Sequence, residues 1–391
     1  MDFELNDDQQ AYVETARRFA AESMAPHAAQ WDLEQTFPVD VIRAAGELGF
    51  LSMYTPEDVG GMGMSRLDAA LVFEELAGGC TSTAAFMTIH NMALWMIARF
   101  GGEATKERFV PPLLSGELFA SYCLTEPNAG SDAAALRTTA TIDGDGYVLS
   151  GQKMFISGGG DTGVLVVMAR VADAEGPRPG PKGISAFVLP ADAPGISYGR
   201  KEDKMGWNSQ PTRAITFDGV RVPTEHRLGA EGEGFKIAMQ GLDGGRINIA
   251  TTAVGTAQAA LDATLRYVQE REAFGGPIAQ FQNTQFKLAD MATELVAARQ
   301  MVRLAAARLD AKHPEATVYC AMAKRFATDV AFEVCNQALQ LHGGYGYLKE
   351  YPLERHVRDV RVHQILEGTN EIMRVIISRR VMMDGAMEII R

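Results

Sequence analysis

TTATIDGDGYVLSG runs from Thr138 to Gly151 and reads as a β-hairpin. Residues of alternating character stand on both sides of Asp143-Gly-Asp-Gly146. Aspartate and glycine supply the backbone freedom that a tight turn between two strands needs. VLVVMARV (Val164–Val171), GISAFVLP (Gly183–Pro190) and TRAITFDGVRVP (Thr212–Pro223) are further strand-like runs, and DAEGPRPGPKG (173–183) between two of them has turn chemistry. From Phe119 to about Val222 the chain is thus a β block.

The flanks have a helical period. Asp7–Met24 carries Ala11, Ala16, Phe19 and Ala20 at helical spacing. Pro38 and Gly49 bracket a second helix. Ser65-x-x-Asp68 resembles a capping box ahead of AALVFEELAGG, and Thr83–Phe100 and Glu103–Leu114 complete the region. After Glu231 the period returns over about 231–270, 283–310, 314–341 and 370–389. Blocks of helix and strand that do not alternate exclude a βαβ fold. The expected class is α+β, with an N-terminal helical domain (1–118), a central β domain (119–229) and a C-terminal helical domain (230–391).

Lysine plus arginine number 37 and aspartate plus glutamate 49, a net charge of −12. That balance argues against nucleic acid or an anionic membrane as partner. Ala84–Phe100, the most apolar stretch, is interrupted by His90 and Asn91 and is too short to span a bilayer. The four cysteines (Cys80, Cys123, Cys320, Cys335) are scattered, without a C-x-x-C pair, as thiols in a reduced compartment are. The polar N-terminus, MDFELNDDQQ, shows no targeting segment, so the expected location is bacterial cytoplasm, or a mitochondrial matrix after removal of a presequence. Gly158-x-Gly160-x-x-Gly163 matches a dinucleotide fingerprint only by letters, because a strand-like run and not a helix follows it. His356 and His363 lack companions at metal-ligand spacing, so no metal is expected.

Three stretches remain. CLTEPNAGSDAAA (Cys123–Ala135) is a turn by composition, but such a turn exposes backbone N–H groups and the hydroxyls of Thr125 and Ser131. QLHGGYGYLKEYPLERHVRD (Gln340–Asp359) starts as a helix stop, yet has more glycines than a stop needs. HQILEGTNEIMR (His363–Arg374) places Glu367 between the apolar Ile365-Leu366 and a flexible Gly368. A solvated face or a helix cap is the plain reading of Glu367; a base in a dry pocket is the other.

Together and in this order, the three stretches resemble the acyl-CoA dehydrogenase family, whose patterns C-L-T-E-x-x-x-G-S-D and Q-x-x-G-G-x-G-Y are both matched. The resemblance covers essentially the whole chain. CTSTAAFMTIHNM, KMGWNSQPTRA and GGRINIA look most like members that act on isobutyryl-CoA.

The resemblance implies a β-barrel-like central domain, a C-terminal four-helix bundle, and FAD bound in a homotetramer made of two dimers. It places Tyr122, Leu124, Thr125, Phe155 and Ser157 on the cofactor, with Ser131 between FAD and the CoA arm. Arg271, Phe281, Gln282, Gln340, Gly343 and Gly344 come to the FAD from a neighbouring subunit. Thr369 and Asn370 offer the free N–H groups of a helix start. Asp243 and Arg246 of LDGGR face the CoA chain, and Arg379 its nucleotide end. Glu367 is the base that takes the α-proton of the thioester. An ordinary glutamate, near pKa ~4.3, is weak for that task, and desolvation beside Leu366 would raise it. Family members that carry the base on another helix have it where Gly245 stands here.

The implied reaction is α,β-dehydrogenation of a short branched-chain acyl-CoA, most closely isobutyryl-CoA to methacrylyl-CoA in valine breakdown. An electron-transferring flavoprotein is the implied acceptor. Ala84–Thr88 and Leu366 are the implied acyl pocket. The alternatives are a butyryl- or 2-methylbutyryl-CoA dehydrogenase, a flavin monooxygenase on the same fold, and a non-catalytic binding protein.

Overall fold

The computed structural model describes residues 4–390. The N-terminal helices are α1 (Asp7–Phe19), α2 (Ala28–Glu34), α3 (Val39–Glu47), α4 (Arg66–Gly79), α5 (Thr81–Phe100) and α6 (Glu103–Leu114). A π turn, Ala20–Met24, continues α1 where one unbroken helix was expected. Ser65 caps α4, its hydroxyl accepting from the Asp68 N–H and donating to Asp68 Oδ2 at 2.6 Å. The capping box is only half formed, because the Asp68 carboxylate holds that hydroxyl and, at 2.8 Å, the Gln9 amide.

The β block comprises β1 (Ala120–Cys123), β2 (Thr139–Asp143), β3 (Gly146–Ser157), β4 (Val164–Asp173), β5 (Gly176–Pro177), β6 (Ile184–Pro190), β7 (Ile196–Tyr198), β8 (Thr212–Pro223) and β9 (Arg227–Leu228). The hairpin forms as read: β2 and β3 pair antiparallel, Asp143 stands opposite Gly146, and Gly144 turns the chain at φ +62°. The sheet runs β7-β8-β3-β2-β4-β6-β9, with β1 and β5 also on β4. Leu165, Val167, Ala169 and Val171 of β4 meet Leu149, Phe187 and Phe217 inside the wrapped sheet, whereas Val164, Val166 and Met168 meet Met92, Ile97, Phe109 and Ile237 of the helices. A strand buried on both faces is apolar throughout, which is why VLVVMARV lacks alternation. The Gly158–Gly163 segment joins β3 to β4 as a loop.

The C-terminal part holds α7 (Gly234–Glu270), the two-residue strands β10 (Glu272–Ala273) and β11 (Gly276–Pro277), α8 (Gln282–Asp310), α9 (Ala316–His342), α10 (Leu353–Arg361), α11 (Asn370–Val381) and α12 (Ala386–Ile390). Small side chains such as Ala253, Ala257, Ala298, Ala305, Ala327 and Ala331 form much of the core between α7, α8 and α9, so these helices approach closely. Two expectations need correction. The last helix is split, with Gly385 at φ +71° between α11 and α12. LERHVRDVR, outside the expected helical segments, is the helix α10. Its charges hid a stripe of Leu353, His356 and Val360 that is buried against the bundle.

All four cysteines are buried and free. Among the described residues no helix is long and apolar enough to cross a membrane.

Candidate active site

A short 3₁₀ turn, Val362–Gln364, leads from α10 towards Glu367, and α11 begins at Asn370 with Thr369 as its N-cap. Glu367 sits at φ +56° and Gly368 at φ +92°. A left-handed glutamate is strained by about 1–3 kcal/mol and persists only where its surroundings fix it. Part of the residue reaches the surface, but its carboxylate Oε2 is enclosed without a hydrogen-bond partner. Its backbone N–H also has no acceptor among the described residues. Opposite lies Gly245 of α7, where a Cβ would fall 2.4 Å from Oε2. The absent side chain at 245 is therefore what makes room for the carboxylate. Burial pushes the Glu367 carboxyl up to about 7, against the pull of the positive Arg246 and Lys324.

The walls are polar, but few of their groups are satisfied. Arg246 is 5% exposed, and its Nη1 lies 2.6 Å from Asp243 Oδ1 while Nε has no partner. Asp243 also accepts from Thr317 at 2.7 Å, yet burial holds its carboxyl above the usual range. Tyr122 brings a buried, unpartnered hydroxyl whose pKa is raised by burial and by the charge of Glu367. Arg66 lies 3.5 Å over the Tyr54 ring, with Nη1 unpartnered and close over Gly244. Leu366 packs in an apolar cluster with Ala85, Ile89, Trp207, Ile249 and Val362. The sequence reading named Leu366 and the Ala84–Thr88 stretch, but not Trp207 or Ile249. Trp207 is held at φ +55° by its N–H to Asp359 Oδ1 (2.6 Å) and its Nε1–H to His363 Nε2 (3.1 Å).

The turn after β1 is locked from beneath. Glu126 accepts from the N–H groups of Arg137 and Thr138 and pairs with the fully buried Lys153 at 2.8 Å. Lys153 also donates to the Leu124 carbonyl, and the Met154 N–H to that of Thr125. The turn is thereby fixed against MFIS, where Phe155 stands at φ +60° and 63% exposed. A bulky aromatic held outward on strained backbone marks a surface made to be covered. Ser131 is exposed at the far end of the turn, and Ser157 is half-buried.

A second cleft, of about 380 Å³, gathers Tyr267, Arg271, Gln340, Gly343, Gly344 and Tyr345. A Cβ on either Gly343 or Gly344 would meet nothing within 4 Å. Beside it Phe274 projects at φ +54° and 96% exposed, its ring 6.1 Å from that of Phe281, with Gln282 also exposed. Gln340 lies 16 residues along α9 from Lys324, roughly 24 Å at the rise of an α-helix. One chain therefore keeps this cleft apart from the Glu367 site.

Models of the acyl-CoA dehydrogenase N-terminal, middle and C-terminal domains match residues 6–117, 121–220 and 232–382. The chain belongs to the acyl-CoA dehydrogenase family. It is 53% identical over 380 residues to the mitochondrial isobutyryl-CoA dehydrogenase of Bos taurus and 54% to that of Dictyostelium discoideum, covering 97% of this chain and 90% of each relative. Butyryl-CoA dehydrogenase of Megasphaera elsdenii superposes with a TM-score of 0.93 at 41% identity, covering 98% of this chain and all of that one. A chain from the structural study of the electron transferring flavoprotein of Acidaminococcus fermentans gives 0.94 at 42%, with the same coverage.

In this acyl-CoA dehydrogenase the side chains at the start of α11 are already engaged. The Asn370 side chain is spent internally: it accepts from Lys324 at 2.9 Å and donates to Thr328 and Asp329 at 2.9 and 2.7 Å. The Thr369 hydroxyl caps Ile372. Only backbone groups of Asn370 are left for a ligand. Arg379 is exposed near the other end of α11, ten residues or about 15 Å of helix from Thr369. Sequence reasoning missed Lys324, Arg66, Glu126 and Lys153. The available sign for Lys324 was a lysine on the apolar stripe of Cys320, Ala327 and Ala331 along α9.

Proposed function

We propose that the protein oxidises a short branched-chain acyl-CoA, isobutyryl-CoA to methacrylyl-CoA, with Glu367 as the base. One observation carries the reading: an enclosed, unpartnered Oε2 over Gly245, on a carboxyl raised to about 7. Such a group suits a carbon acid at neutral pH. The free Glu367 N–H can donate to the thioester oxygen and stabilise the enolate that forms as the α-proton leaves. Arg246 and Asp243 hold the CoA arm near the base, and the apolar cluster around Leu366 and Trp207 excludes water and limits the acyl chain.

FAD fits the residues present, because the locked Leu124–Thr125 turn and the outward Phe155 make an open face for a flat ring. When bound it supplies the acceptor for the β-hydride. Tyr122, Ser131 and Ser157 border that face, and the backbone at Thr369 and Asn370 reaches the cofactor from α11. The cleft of Arg271, Gln340, Gly343 and Gly344, with Phe281 and Gln282 beside it, serves the FAD of a neighbouring copy in a dimer of dimers. Arg379 meets the CoA nucleotide. An electron-transferring flavoprotein takes the electrons, a reading supported by the structural relative from Acidaminococcus fermentans.

Arg271→Glu puts a negative charge where an arginine would pair with the FAD pyrophosphate. Purified Arg271→Glu is expected to carry less FAD and to bind added FAD more weakly, by absorbance and fluorescence titration. Wild-type affinity would remove Arg271 from the cofactor site.

A panel of isobutyryl-, butyryl-, 2-methylbutyryl- and isovaleryl-CoA with a dye acceptor tests the substrate. Isobutyryl-CoA is expected to give the highest kcat/KM. One methylene in an apolar pocket is worth only about 1–3 kcal/mol, so the others should react more slowly rather than not at all. A clear preference for butyryl-CoA would refute the branched-chain reading.

A further inference from the structure

Lys324 is fully buried on α9. An ammonium removed from water needs acceptors or a counter-charge. It donates to the Gly368 carbonyl at 2.8 Å and to Asn370 Oδ1 at 2.9 Å, and neither acceptor is charged. Both belong to the segment that presents Glu367. Burial pushes Lys324 down to about 7, so it carries its charge below neutrality, where the acid limb lies; of the charges that support it, Glu367 comes first, ahead of Asp329 and Glu371.

We propose that Lys324 is a positioning residue for Glu367: its ammonium pins the Gly368 carbonyl and the head of α11, so holding the left-handed Glu367 over Gly245, and its charge helps Arg246 keep the waiting carboxylate ionised. This rests on the reading of Glu367 as the base.

The clamp is needed because Glu367, at φ +56°, lies in a region that a non-glycine residue rarely holds, and Gly368 beside it, at φ +92°, does nothing to restrict the turn. Lys324 ties the turn directly and through Asn370, which is itself fastened to Thr328 and Asp329. The charge is needed because burial alone would leave a neutral acid, which accepts no proton. The groups that face Glu367 electrostatically are Arg246 from α7, Lys324 from α9, Tyr122 from β1 and Tyr54. Those that face Lys324 are Glu367, Arg246, Asp329, Glu371 and His363. Removing a positive neighbour raises a carboxyl pKa. The active form of Glu367 is the ionised one, so the acid limb of kcat/KM must move to higher pH.

The test uses the holoenzyme. Lys324→Gln keeps a donor for the Gly368 carbonyl without the charge, and Lys324→Met removes both. Lys324→Gln is expected to shift the acid limb upward by about one unit, with its largest losses at low pH. Lys324→Met should show that shift and a further fall in kcat on the plateau. FAD content and subunit assembly are measured alongside, since a structural lysine would alter those and leave the limb in place. An unmoved limb in an assembled Lys324→Gln enzyme overturns the proposal. If that variant fails to assemble, a double-mutant cycle in denaturant decides. Lys324→Gln should destabilise Glu367→Gln less than it destabilises wild type, and equal losses overturn the proposal. Activity surviving in Glu367→Gln would instead refute Glu367 as the base, whatever Lys324→Gln does.

Discussion

Glu367→Gln is expected to yield a folded, FAD-containing protein whose flavin acyl-CoA no longer bleaches. The glutamine keeps the size of the side chain and its packing beside Leu366 but has no oxygen basic enough to take the α-proton. Losing a general base alone removes roughly 10²–10⁴-fold. The loss here should reach or pass the upper end. Of the other ionisable groups around the carboxylate, Arg246 is a guanidinium, the Lys324 nitrogen is committed to the Gly368 carbonyl and Asn370 Oδ1, and the hydroxyls of Tyr122 and Tyr54 have pKa values raised above that of a free phenol. The variant should still bind acyl-CoA, because the Arg246–Asp243 pair does not depend on Glu367. Anaerobic mixing, with equilibrium binding as the control, checks both halves.

The second large effect is predicted at Gly245. A Cβ there would lie 2.4 Å from Glu367 Oε2 and 2.8 Å from its Cδ. Gly245→Ala adds nothing but that atom, so the carboxylate must swing away. A base misplaced by about 1 Å can cost on the order of 10²-fold. A fall in kcat of that size is expected, with FAD content and helix content preserved; near-wild-type kcat would mean that the carboxylate does not work from this position. The same contact governs relocation of the base. A glutamate at 245 collides with a full-length side chain at 367, so Gly245→Glu should restore some activity only when Glu367 is shortened to glycine. Glycine also relieves the left-handed backbone at 367.

What the sequence carried and what it hid follow one physical rule. Local chemistry was legible: the Asp143–Gly146 turn, the buried run of β4, the caps at Pro38 and Ser65, and the glycine-flanked Glu367. Each depends on residues within a few positions of one another. α10 was hidden because its charged residues outnumber its apolar ones, and its stripe is visible only against the bundle that covers it. Lys324 and Gly245 were harder still. Their meaning arises where α9 and α7 converge on one turn, 43 and 122 residues away in the chain. The sequence could say that Gly245 carries no base; it could not say that the gap is filled by Glu367. The Asn370 side chain, consumed by Lys324, Thr328 and Asp329, was invisible for the same reason.

The rate of flavin reduction on anaerobic mixing with isobutyryl-CoA, followed across pH in wild type and Glu367→Gln, tests the central claim most directly. Glu367 must be ionised to accept the proton, and its carboxyl is raised to about 7. Wild-type reduction is therefore predicted to slow as pH falls through neutrality, and Glu367→Gln to show no fast phase at any pH. Rapid reduction in Glu367→Gln, or a wild-type limb down at an ordinary carboxylate value near ~4.3, would contradict the account.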